Sequence, residues 1–366
     1  AFAEIQGIGT LPLGISFYVL TAIGYCADVA AGRAEPEKSP LRFAVFLAFF
    51  GHGTSGPIVR YGQQASQLDP CGAERRVTAD RFCYGIKRLV LGLAKKALIA
   101  DQLALIYARV TAVPAATLPA PILVLGYTAF MMQLYFDFSG YSDMAIGIGE
   151  FFGITLPENF DYPYLACSIG EYWRRWHISL SGWFRDYVYI PLGGSRCRLR
   201  RTCRNLLIVF ALAGLWHGTA WKYLAFGLVH GALLCLEHLG LRALLGQLPK
   251  FFQHLCTVVV LWGTLIIFGA PGLKEGLAVL RGIMSWQTGS KGYTLAAFAD
   301  TKLLLILAAS FLLCGPLQAL LPKLKAALYA RKAPSLPGMA GLLALLFFGL
   351  MRVMAGSYSA FSYFQL

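Results

Sequence analysis

Apolar residues in this chain fall in blocks of bilayer-spanning length, near 10–27, 41–58, 86–108, 118–137, 141–154, 205–222, 223–242, 252–270, 302–321 and 338–356. A span needs about 20 mostly apolar residues to cross the hydrocarbon. Backbone in lipid must satisfy its own polar groups, which such blocks do as helices. Of the 366 residues, 57% are hydrophobic and 14% charged, whereas soluble domains carry roughly 25% charged residues. Mean hydropathy is +0.59. The pattern predicts an all-α polytopic membrane protein of about eight to ten spans, with the shortest blocks equally suited to re-entrant segments.

The net charge is +14, and the basic residues cluster between apolar blocks. One cluster runs from Arg75 to Lys96, a second carries five arginines between Arg196 and Arg204, and a third runs from Lys323 to Lys332. No nucleic-acid-binding motif accompanies them, so nucleic acid is excluded as a partner. They orient the chain instead, with all three clusters predicted on the cytoplasmic side. Contact with anionic headgroups or with a phosphorylated cofactor is their other use. The nine cysteines are scattered, with no Cys-x-x-Cys pair and no zinc spacing, so neither a disulfide framework nor a metal is expected. The chain starts at Ala1 beside an apolar block, and earlier helices are expected to be missing.

Leu215-Trp216-His217-Gly218 puts an imidazole inside a long apolar run. An ionisable group there is expensive and marks a functional site by default. His217 follows Asn205 by twelve residues, roughly 18 Å of helix, near the middle of a hydrocarbon core about 30 Å thick. Desolvation favours the neutral imidazole, the form that acts as a general base. Gly218 removes bulk beside the ring, as though to let a substrate approach. His230, on the next block, is either a second functional histidine or a core residue.

Residues 170–192 are too polar to span and too aromatic for a solvated loop. Trp173, Trp176, His177, Leu180 and Phe184 follow helical spacing beside a polar strip of Arg174, His177 or Ile178, Ser181 and Arg185. This predicts one interfacial or re-entrant helix ended by Pro191 and Gly193-Gly194. Arg174 and Arg175 suit a phosphate or carboxylate, although Glu171 sits four residues before Arg175 and can pair with it. Within Gln133–Asp143, Asp137 and Asp143 predict a helix break lining a cavity, each paired to a nearby arginine; an interfacial loop is the alternative. His52, among the glycines and proline of residues 51–57, suits an entrance or plain interfacial placement.

Several motifs together resemble the membrane-bound O-acyltransferase (MBOAT) family, in its bacterial alginate, peptidoglycan and cellulose O-acetylation branch. They are Leu11-Pro-Leu-Gly-Ile-Ser-Phe-Tyr18, Gly56-Pro57, Tyr135-Phe-Asp-Phe-Ser-Gly-Tyr-Ser-Asp-Met-Ala145, Pro157-Glu-Asn159-Phe, Trp173-Arg-Arg-Trp-His-Ile-Ser-Leu-Ser181, Trp183-Phe-Arg-Asp-Tyr187, Leu192-Gly-Gly194, Leu215-Trp-His-Gly218 and, weakly, Tyr363-Phe364. The chain departs from the family pattern at Gly51, where Pro is frequent, and at Phe268-Gly269-Ala270, where an arginine is lost. The resemblance implies one helical bundle over 1–366 around a central tunnel, in a bacterial inner membrane. It implies His217 as the catalytic histidine and His177 as its partner, with Trp216, Gly218, Arg174, Arg175, Trp176, Ser181, Asp137, Asp143 and Asn159 along the donor path. It also implies acetyl-CoA as donor, no resident cofactor, a periplasmic SGNH-like acetyltransferase partner and polysaccharide export machinery. A precursor flippase and a non-catalytic export scaffold are the competing classes; the first often shows internal repeats, which are not evident here.

Overall fold

A computed structural model describes residues 14–51, 56–69, 75–289 and 292–357, and the regular elements among them are helices. In chain order the first ten are α1 (Ile15–Ala30), α2 (Pro40–Ala48), α3 (Tyr61–Leu68), α4 (Ala79–Ala94), α5 (Asp101–Thr111), α6 (Ala120–Phe151), α7 (Ile169–Arg175), α8 (Ile178–Phe184), α9 (Leu199–His217) and α10 (Trp221–Leu236). The longer helices beyond are Lys250–Gly269, Leu273–Met284, Thr301–Leu313 and Leu336–Arg352. Among the described residues, four helical stretches are long and apolar enough to cross a membrane: Ala120–Phe151, Trp221–Leu245, Lys250–Gly269 and Leu336–Gly356.

Shorter apolar helices, Ile15–Ala30 and Thr301–Leu313, stand beside these four, and the expected apolar blocks divide into helices differently for local reasons. Blocks 118–137 and 141–154 are one 32-residue helix, α6, so Asp137 and Asp143 mark no helix break. Block 41–58 yields only the nine residues of α2, which stops at Ala48 before Gly51. Helix α9 starts among the arginines at Leu199 and ends at His217, and α10 begins at Trp221, so 205–222 is not one continuous span. Hydropathy counts apolar residues without telling lipid from protein as the neighbour. The apolar window of α6 is 83% buried inside the protein, and that of Leu336–Gly356 only 6%.

Helices α4 and α6 form the central seam. They run antiparallel, with Gly85 against Gly147 and Gly92 against Gly140. A Cβ on Gly92 would lie 2.4 Å from the Gly140 carbonyl oxygen, and one on Gly147 would lie 2.6 Å from that of Gly85. Both pairs are spaced by seven residues, two helical turns, so one face of each helix is cut down to backbone. Charges bridge the seam. Lys96, in the π-helical turn after α4, binds Asp101 at 2.8 Å and Asp137 at 2.7 Å. Arg88 binds Asp143 and Glu158, and Lys95 reaches Asp143 at 2.5 Å. Much of the first basic cluster is therefore helix, with Lys87, Arg88 and Lys96 buried and engaged inside the protein. The third cluster caps it: Lys87 donates to the Ala330 carbonyl at 2.5 Å, and the Arg88 guanidinium lies 5.0 Å from the Tyr329 ring.

Gly92→Val drives a branched side chain into backbone and is expected to cost at least about 1–3 kcal/mol. The check is the thermal midpoint of the detergent-purified protein. Gly62→Val, where nothing lies within 4 Å of the added Cβ, should be neutral or stabilising.

Candidate active site

The expected single helix over 170–192 is two short ones. Trp176 leaves the helical conformation, and His177 follows at φ 43, ψ 55. Left-handed backbone is uncommon for a residue other than glycine and persists where the surroundings enforce it. Helix α7 is anchored at its start. Ser168 accepts from the Glu171 N–H at 3.1 Å, and Glu237, just past α10, accepts from Ile169 and Gly170 at 2.6 and 3.1 Å. Helix α8 runs into a π-helical turn at Arg185–Tyr189, just ahead of Pro191.

Between these helices and α9 lies a cavity of about 750 Å³. Helix α9 presents Leu206, Val209, Phe210, Ala213, Gly214 and His217 to it. That three-and-four spacing is one helix face, some 16 Å long at 1.5 Å per residue. The polar strip reaches the cavity despite the break, since Arg174, Ser181 and Arg185 line it together with Trp173 and Ser179. His177 sits behind the wall, 1% exposed. Trp216 packs against both imidazoles, its ring 6.2 Å from that of His177 and 5.0 Å from that of His217. Phe138 meets His177 edge-on at 4.7 Å, and Phe268 meets His217 edge-on at 5.2 Å.

His217 is the last residue of α9, where the helix gives way to the turn into α10. Gly218 carries φ 152, and a Cβ there would lie 2.8 Å from the Tyr223 ring. Tyr223 fills the space beside Gly218, so the glycine serves the turn into α10 and not substrate approach.

The other expected site residues separate. Arg175 is taken by Glu171 at 2.8 Å and Asp161 at 3.2 Å. Trp176 is enclosed by Tyr135, Phe160, Tyr164 and Tyr172. Asp137 belongs to the seam, paired with a lysine and not an arginine. Asp143 faces a second cavity of about 370 Å³, with Glu158, Asn159 and Lys325 on its wall. Asn159 is fully buried and bonds to His177. His52 lies outside the described residues.

His230 resolves as a core residue. The Trp173 indole N–H donates to its Nδ1 at 3.1 Å. The Thr264 hydroxyl donates to the Leu261 carbonyl at 2.8 Å, so its oxygen accepts from His230 Nε2 at 3.0 Å. Both ring nitrogens are used in one neutral tautomer, and the result is a fixed Trp173 on the cavity wall. Sequence reasoning also missed Ser179, Phe268 and Lys222. The Lys222 ammonium donates to the Ala270 carbonyl at 2.8 Å, a cation at the C-terminus of Lys250–Gly269. Gly269 lies against the Phe130 ring, 2.5 Å from an added Cβ, so no arginine fits there.

His230→Ala strands the Trp173 N–H and is expected to cost about 1–3 kcal/mol, read as a lowered thermal midpoint. Because His230 is spoken for, the variant should not alter the pH dependence of any activity.

One histidine on a long cavity wall and a second buried behind it, inside a helical membrane protein, suit an enzyme of the membrane. The chain belongs to the membrane-bound O-acyltransferase family, whose model matches residues 28–270. It is 41% identical over 283 residues to the probable alginate O-acetylase AlgI of Azotobacter vinelandii, covering 75% of this chain and 54% of that one. It is 35% identical over 307 residues to the peptidoglycan O-acetyltransferase of Helicobacter pylori, covering 75% and 57%. It is 31% identical over 233 residues to the teichoic acid D-alanyltransferase of Bacillus subtilis, covering 61% and 58%. The chain spans about half the length of the curated relatives it matches.

Proposed function

We propose that the protein is an O-acetyltransferase that takes an acetyl group from a cytoplasmic thioester, acetyl-CoA, and passes it across the membrane to O-acetylate an extracytoplasmic polysaccharide. The observation that carries this reading is His217 on the wall of the long cavity, with His177 behind Trp216 and Arg174 on the same wall. The arginines of residues 196–204 mark the cytoplasmic end by charge, and α9 runs from them to His217 over about 27 Å, nearly one hydrocarbon thickness. A bacterial inner membrane and a periplasmic SGNH-like partner or the sugar itself as acceptor complete the proposal.

The reaction balances simply. The acceptor hydroxyl oxygen attacks the thioester carbonyl, the C–S bond breaks, and the hydroxyl proton ends on the departing sulfur. His217 carries that proton. The last turn of α9 directs its carbonyls toward His217, and this end of a helix favours the positive charge an imidazole gains on taking a proton. Arg174 orients the donor through its phosphates. The relatives' printed activities on alginate and peptidoglycan support a glycan acceptor.

The test is transfer of labelled acetyl from acetyl-CoA by the full-length protein in vesicles. His217→Ala should abolish it with membrane insertion intact, and retained transfer would remove His217 from the chemistry. Arg174→Ala should raise KM for the donor about tenfold, the value of one charge-assisted hydrogen bond. A flippase or a scaffold would release no thiol in this assay.

A further inference from the structure

The buried partner of His177 decides what that histidine can do. Asn159, in the loop after α6, presents its side-chain oxygen Oδ1 to three groups: the Ser179 N–H at 3.1 Å, the Ser179 hydroxyl at 2.8 Å and His177 Nδ1 at 3.3 Å. A backbone N–H only donates, so the amide atom facing Ser179 is the carbonyl oxygen and not the nitrogen. The amide nitrogen is accounted for on the other side, 3.4 Å from the Ser142 hydroxyl. The Ser179 hydroxyl oxygen accepts from the Ile58 N–H at 2.9 Å, which leaves its proton to go to Asn159.

Oδ1 is thus an acceptor only. A hydrogen bond between it and His177 requires the proton to be on Nδ1. A neutral imidazole carries one N–H, so the basic lone pair is on Nε2. We infer that Asn159 is a positioning residue which holds His177 in the Nδ1–H tautomer, making His177 a proton acceptor through Nε2 and not a donor to an oxyanion. This rests on the acyl-transfer reading above.

The same residue holds the backbone. The Asn159 carbonyl accepts from the Ile178 N–H at 3.0 Å. Asn159 therefore satisfies the first two N–H groups of α8 and, through them, fixes His177 at φ 43. Ring tautomer and backbone turn are set by one side chain.

The experiment uses the full-length protein in detergent with acetyl-CoA as donor, comparing wild type, His217→Ala, Asn159→Ala and Asn159→Asp. Asn159→Ala should lower kcat about 10- to 100-fold, the usual effect of losing a partner that orients a histidine, with KM for acetyl-CoA unchanged. Asn159→Asp keeps the acceptor oxygen and should restore most of the loss. Equal kcat in Asn159→Ala and wild type, or no rescue by aspartate at matched thermal midpoint, would overturn the role. Inert wild type, no different from His217→Ala, would remove the acyl-transfer reading and the role with it. A tautomer measurement stands apart from the folding of any Asn159 variant. In ¹⁵N-histidine-labelled wild type, the signals lost in His177→Gln should report a protonated Nδ1, and a protonated Nε2 would refute the inference.

Discussion

The pairing of buried charge across the seam between α4 and α6 is the constraint on which the rest of the structure depends. A charge taken out of water without a partner costs several kcal/mol, and this seam holds Lys96, Arg88, Asp137, Asp101 and Asp143 inside the protein. They are tolerable because each lies against an opposite charge. Those distances in turn need backbones that nearly touch, which the facing glycines allow. The charges fix the register of the two helices, and the glycines fix their separation.

The seam also reaches the active site. Arg88 binds Asp143 on α6 and Glu158 in the following loop. Glu158 precedes Asn159, and it lines both cavities. The loop that holds His177 is therefore pinned from the seam, one residue away from the amide that sets the imidazole. On the opposite wall, Trp173 is fixed by His230 and Thr264, and α7 is tied to the end of α10 by Glu237. The two histidines belong to separate segments: His177 is held by the Asn159 amide, and His217 packs against the rings of Trp216, Tyr223 and Phe268.

The sequence made the helical membrane class legible because composition and block length act over the whole chain. It also drew attention to His217, a costly histidine in an apolar run, and to His177, in a segment dense in tryptophan and arginine. The split of 170–192 was not legible. Helical spacing continues through His177 in the sequence, and the residue that breaks the helix, Asn159, acts from another loop through hydrogen bonds. The unbroken α6 was hidden for a related reason. Asp137 and Asp143 look like a break when read alone and become ordinary helix positions once Lys96, Lys95 and Arg88 are opposite them. His230 stayed ambiguous because its two partners lie 57 and 34 residues away in the chain.

Packing both imidazoles against Trp216 has a consequence for charge. They are close enough that a proton on one disfavours a proton on the other. Both imidazoles pack against the Trp216 indole, and α9 ends at one of them only. Helix-end carbonyls favour positive charge at His217, while an amide oxygen supports His177 without adding a negative charge. In the proposed transfer this asymmetry would direct the travelling proton to His217 and leave His177 neutral, accepting a hydrogen bond beside it. An aspartate at position 159 would keep the acceptor oxygen, and with it most of the function, while adding a charge that slightly weakens that asymmetry. A neutral asparagine preserves it, and that is the physical reason for an amide in this loop.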